Sequence, residues 1–196
     1  MRVRIAVRLA GALLAAGALA WAQDSGPGKK LIEVGWDLPN AERLRAHLAV
    51  MDTTPLQGCG VRFAGPGNKP ALWFSFSREP YDKQVVAQIV SDLKAVQPRR
   101  LRSLFLLMNA NPGDVDWFDE AGWKVIVDHW RTAARVTREA GMAGIMFDPE
   151  AYREPYRAFD WSAQAQTGKH TFAQYTEMAR RRGREVMAAV AKENPK

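Results

Sequence analysis

Apolar positions along the chain switch repeatedly between a spacing of about two and a spacing of about 3.6 residues, the signature of strands alternating with amphipathic helices. Leu31-Ile32-Glu33-Val34-Gly35-Trp36 alternates as a strand and stops at Asp37-Leu38-Pro39. Asn40 is then a natural N-cap for a helix carrying Ala41, Leu44, Leu48 and Met51 on one face. Gly60 to Phe63 and Ala71 to Ser77 are both strand-like, with the breaker-rich stretch Ala64 to Pro70 between them, so one of them is either a core strand or a hairpin partner. A second helix begins at Asp82, shows the stripe Val85, Val86, Ile89, Val90 and Leu93, and ends before Pro98.

Leu101 to Met108 is a near-continuous apolar run, the pattern of a parallel strand covered on both faces, and Asn109 to Gly113 ends it. A Trp-rich helix follows, with Trp123, Ile126 or Val127, Trp130 and Ala134 on one side and its end near Gly141. Gly144-Ile145-Met146-Phe147 predicts a short strand that terminates in Asp148-Pro149-Glu150. After a loop from Ala151 to His170, Thr171 caps a last helix with Phe172, Tyr175, Met178, Val186 and Val190 expected to face inward. This alternation implies an α/β fold with a parallel sheet and right-handed crossovers, either an open doubly wound sheet or a β/α barrel.

The N-terminus changes the picture of where the chain works. Arg2, Arg4 and Arg8 precede an apolar run from Leu9 to Ala20, and Ala20-Trp21-Ala22 precedes polar residues. That order predicts a secretory signal over residues 1–22, a tether over 23–30 and one domain over 31–196, exported to the periplasm or the medium. The apolar run is too short for a hydrocarbon core that needs about 20 residues, so no membrane association is expected after cleavage. Cleavage takes away three arginines and no acids, so the net charge falls from +7 to +4. Much of the remainder lies in Arg180-Arg181-Arg182 with Arg184, expected to be a solvated helix face. No interleaving of basic and aromatic residues of the kind that binds nucleic acid is present. Cys59 is the single cysteine, so no internal disulfide is available and its expected role is a small buried apolar residue.

In parallel α/β folds ligands gather at the carboxyl ends of the strands. Three such ends carry polar groups here: Trp36 and Asp37, Asn109 and Asn111, and Asp148 and Glu150. Asp148 and Glu150 are two apart, which in extended backbone points both to one side. Two close carboxylates repel, which raises the pKa of one and lets it act as an acid while the other stays ionised, the division of labour that glycosidic cleavage needs. The structural alternative is an Asp that caps the next turn and a Glu150 paired with Arg153. Tyr152, Tyr156, Phe159 and Trp161 crowd the loop that follows, and sugars present apolar faces that stack on such rings. Trp117, Trp123 and Trp130 are expected in core or helix-sheet contacts. His47, His129 and His170 are scattered, neither a phosphate loop nor a Ser nucleophile elbow is present, and no cofactor is called for.

The stretch Gly144-Ile145-Met146-Phe147-Asp148-Pro149-Glu150-Ala151-Tyr152 resembles the fourth-strand region of barrel glycoside hydrolases. In chitinase-like members a strand ends in Asp-x-Glu, the Glu is the proton donor, and an aromatic residue follows. The resemblance implies Glu150 as the acid and Asp148 as its partner; the two earlier acids of that pattern fall here at Ala143 and Met146. Leu31 to Glu193 also resembles uncharacterised, exported, glycoside-hydrolase-like barrel proteins of environmental bacteria, in which Trp36-Asp37 and Asn111-Pro112-Gly113-Asp114 recur beside Asp148-Pro149-Glu150.

A complete barrel takes about 250 residues. The expected fold is therefore a partial (β/α)8, TIM-type barrel of four to five strand-helix units, a fragment of a longer barrel in preference to an open sheet or to two complementing copies. The expected function is carbohydrate hydrolysis, with Glu150 as general acid/base, Asp148 as its pKa-setting partner, Asp37, Asn109 and Asn111 as substrate contacts, and Trp36, Tyr152 and Trp161 as sugar platforms. The expected partner is a carbohydrate substrate or ligand, with a homodimer if the half barrel is the whole chain. Two alternatives stay open: a barrel that holds glycan without cleaving it, and a metal-dependent enzyme with Asp148 and Glu150 as oxygen ligands.

Overall fold

The computed structural model describes residues 29–35, 37–65, 75–109, 115–149 and 159–195. Four strands form one all-parallel sheet: β1 (Ile32–Glu33), β2 (Gly58–Arg62), β3 (Ser103–Asn109) and β4 (Gly144–Asp148), in the spatial order β1-β2-β3-β4. The helices alternate with them: α1 (Ala41–Met51), α2 (Lys83–Ala95), α3 (Glu120–Glu139) and α4 (Phe172–Glu193). Spatial order equals chain order, so the reversal that defines a doubly wound sheet is absent among the described strands.

The caps are local and follow from side-chain chemistry. The Asn40 side chain accepts from the Arg43 amide at 2.8 Å, and Asp82 and Asp119 do the same for the first turns of α2 and α3. Thr171 and Gln174 form a reciprocal capping box on α4. Gly141 ends α3 in the left-handed region at φ 65°, where a side chain would clash with its own backbone. Gly58 is required for a different reason: a Cβ there would lie 2.0 Å from the Ser103 carbonyl oxygen across the β2–β3 ladder.

One face of the sheet is covered by helices. On β3, Leu104, Leu106 and Met108 are buried in the core with Cys59, Val61, Ile89, Ile126 and Val136, whereas Phe105, Leu107 and Asn109 are half-buried. The alternation is that of a strand with one dry face and one partly open face. The expected doubly covered strand is thus fully buried on one side and half-buried on the other. The Asp52 carboxylate at the end of α1 accepts from the amides of Arg99, Arg100 and Leu101 at 2.6, 3.0 and 2.9 Å, and so pins the turn that feeds β3. Those three amides hold its carboxyl below the usual carboxylate range against the opposing effect of burial.

Several expectations need correction. Residues 75–77 form a turn and bend, so the strand predicted over Ala71 to Ser77 does not extend into its described part; 71–74 lie outside the described residues. Phe172, predicted inward, is exposed, because it sits in the first turn of α4 and stacks edge-on with Trp161. Arg182, predicted on a solvated face, is 2 % exposed. It lies within 3.1 Å of Glu120 and 2.9 Å of Glu185, donates to the Trp117 carbonyl and covers the Trp123 ring at 5.4 Å, so its charge is paired inside the α3–α4 contact.

Candidate functional site

The carboxyl ends of β3 and β4 meet. Asn109 is the register partner of Asp148, and one step earlier on the same face Arg62, Leu107 and Met146 form a row across β2, β3 and β4. Both Asn109 and Asp148 follow the half-buried set of their strands (Phe105 and Leu107; Gly144 and Met146), so they belong to the sheet face turned away from the helices. This face is apolar below, at Ile32, Phe105 and Leu107, and polar at its upper rim.

Asn109 is held by its backbone, whose carbonyl oxygen accepts from the Ser75 hydroxyl. Its side-chain oxygen is buried and has no hydrogen-bond partner. A buried amide oxygen without a donor costs on the order of 1–3 kcal/mol. A hydroxyl-bearing ligand placed between Asn109 and Asp148 would supply that donor.

β1 ends at Glu33, short of the strand predicted to Trp36, and Asp37 lies four residues beyond it in a different state. It is exposed and held bidentately by Arg43 at 2.6 and 2.8 Å, and this pairing keeps its carboxyl below the usual range. A ligand that uses Asp37 therefore competes with Arg43. Trp161 lies on a short 3-10 turn (Trp161–Ala163) in the loop between β4 and α4, exposed on one side and edge-on to Phe172 at 5.9 Å on the other. Trp36, Asn111, Glu150 and Tyr152 lie outside the described residues. The structure thus brings together two of the expected site residues, Asn109 and Asp148, and sets Asp37 and Trp161 in separate local contacts.

The second half of the β4–α4 loop is anchored by a group that sequence reasoning passed over. Asp116 is buried, and its carboxylate accepts from the Gln166 amide at 3.1 Å, the Phe118 amide at 2.9 Å and the Tyr175 hydroxyl at 2.8 Å. Its own carbonyl accepts from the Trp123 indole at 3.1 Å. Burial first, and then the bond to Asp116, push the Tyr175 phenol up to about 12. Asp116 lies 50 residues from Gln166 in sequence, and no local pattern marks that distance. Trp117, Trp123 and Trp130 are buried as expected, and Phe159 packs on Phe76 and Trp117 at 5.7 and 5.9 Å, so this loop aromatic serves packing.

Among the described residues, no three His, Cys, Asp or Glu side chains come together as a metal site, and no helix is long and apolar enough to cross a membrane. Cys59 is buried in the core, and desolvation pushes its thiol up to about 12, far from a nucleophile. No protein-family model, no curated protein and no solved structure matches this chain.

Proposed function

We propose that this chain is a carbohydrate-active unit built on part of an exported β/α barrel, with its chemistry at the carboxyl ends of the strands. The unreversed strand order with one helix-covered face supports the barrel, since such a sheet closes on itself with its helices outside. The observation that carries the function is the pairing of Asn109 with Asp148 at one rim, with a buried and partnerless amide oxygen beside a carboxylate. Glu150, two residues beyond Asp148, is the general acid/base; Asp148 sets its protonation and orients it; Asn109 and Asn111 bind sugar hydroxyls. Trp36, Tyr152 and Trp161 are the stacking platforms, and Asp37 contacts substrate once Arg43 is displaced.

Protonation of a leaving glycosidic oxygen by a placed carboxylic acid contributes about 10²–10⁴ in rate. The test is turnover of a panel of β- and α-linked oligosaccharides by the wild type and by Glu150→Gln. A loss of about 10²-fold or more in kcat at near-constant KM is expected; full activity of Glu150→Gln on every sugar the wild type cleaves would refute the assignment.

A further inference from the structure

The free edge of β4 and the helix layer beside it enclose a groove. α4 packs along α3, and a cavity of about 470 Å³ remains, lined by Trp130, Ala134, Ile145, Phe147, Gly183 and Val186 among others. A Cβ added at Gly183, in the middle of α4, meets nothing within 4 Å, so the wall there is open. Two polar atoms in the groove's lining residues, Trp130 Nε1 and Asn194 Oδ1, are buried without a hydrogen-bond partner. One is a donor and the other an acceptor, so the groove's lining is apolar with two polar points. Among the described residues β4 pairs with β3 alone, and no described strand lies on the other side of its backbone.

The opposite edge of the same sheet is also apolar and exposed. Among the described residues β1 pairs only with β2, and its flanking residues Leu31 and Val34 are each 54 % exposed; at the β4 edge Phe147 is 42 % and Met187 61 % exposed. Leu31 alternates with Glu33, which is in register with the core residue Cys59, so Leu31 belongs to the helix side of the sheet; Val34 alternates with Ile32 and belongs to the other face.

We propose that this groove and edge receive β1 of a second copy, and that two copies close about a two-fold axis parallel to the strands, β4 of each beside β1 of the other. Such an axis keeps every strand parallel, makes the two junctions identical and caps both free edges at once. Leu31 of the second copy enters the groove between β4 and α4 with its apolar side chain, while its main chain stays bonded to Gln57 of its own copy. The described strands of the two copies make a ring of eight and set two Asn109–Asp148 rims around one mouth, so each copy contributes to one shared binding site. The proposal rests on the barrel described above, but the test measures mass and not turnover, so either can fail without the other.

The test is sedimentation velocity on the whole chain, with Leu31→Lys at one edge and Met187→Lys at the other. Both residues are exposed within a single copy, so both variants keep the fold, which circular dichroism verifies. The wild type is expected to be a dimer at micromolar concentration, and each variant, blocked at both junctions, to dissociate at least about tenfold more readily. A 1:1 mixture of the two variants has one unblocked junction and is expected to recover a mixed dimer. A wild-type monomer would overturn the proposal and would leave the groove to another polypeptide or a small apolar ligand. A dimer unaffected by Leu31→Lys would overturn it in favour of β4 pairing with β4.

Discussion

The buried Asp116 makes the most quantitative claim about how the site is held. Asp116→Ala removes the acceptor for the Tyr175 hydroxyl, for the backbone amides of Phe118 and Gln166 and for the Gln166 side-chain amide, four bonds of 2.8–3.4 Å to a residue that is 5 % exposed. Hydrogen bonds to a carboxylate contribute about 1.5–3 kcal/mol each when deleted singly, and shared partners make their sum smaller. The stranded donors do not all stay dry, since Gln166 is on a loop. A loss of about 3 kcal/mol is expected. With an m-value of about 2 kcal/mol/M, the urea midpoint drops by roughly 1.5 M. Tyr175→Phe alone should cost about 1–2 kcal/mol, and the double variant should cost less than the sum of the singles by about 1 kcal/mol or more. A drop below about 1 kcal/mol for Asp116→Ala, or strict additivity with Tyr175→Phe, would show that Asp116 is not the anchor of the β4–α4 loop.

Two further outcomes follow from single residues. His129 is buried with its ring nitrogens 3.2 and 2.9 Å from the carbonyls of Ser75 and Glu79, and burial holds its pKa below the usual value despite both carbonyls. The unfolded chain therefore takes up the proton first, so stability is full above about pH 6.5 and falls as the pH drops from there toward the folded value; urea midpoints measured from pH 7.5 to 5 should show this decline, and His129→Gln should flatten it, whereas a midpoint rising on acidification would contradict the assignment. Gly183→Ala adds a methyl where no atom lies within 4 Å and removes a glycine from a helix interior, so the thermal midpoint should rise by the equivalent of about 1 kcal/mol, and a loss of stability would show that the groove wall is closed.

Much of the fold was legible because its signals are local. Asn40, Asp82 and Thr171 cap their helices through contacts within three residues, and the period of the apolar positions located α2, α3 and β3 within two or three residues at either end. What was misjudged depends on partners far away. Arg182 reads as one of a basic run, yet Glu120 and the Trp117 carbonyl, more than 60 residues upstream, make it an interior residue. Phe172 has the spacing of a core residue, but in the first turn of α4 it is exposed and meets Trp161 of the preceding loop. The apolar stretch Ala71 to Ser77 has the composition of a strand, while its described end turns so that the Ser75 carbonyl meets His129 and the Ser75 hydroxyl meets Asn109. For the site, alternation along β3 and β4 places Asn109 and Asp148 on one face, but their adjacency is a matter of register, which only the paired strands show. The Asp37–Arg43 pair was within reach of the sequence, since Asn40 caps α1 between them.

The measurement closest to the core of the proposal is a double-mutant cycle on kcat/KM with Asn109→Ala and Asp148→Asn, using an oligosaccharide that the wild type cleaves. If the two rims form one site, each single variant loses at least about tenfold and the double variant loses clearly less than the product of the two. Losses that multiply independently, or an Asp148→Asn variant with wild-type kcat/KM, would show that the ends of β3 and β4 do not share a substrate.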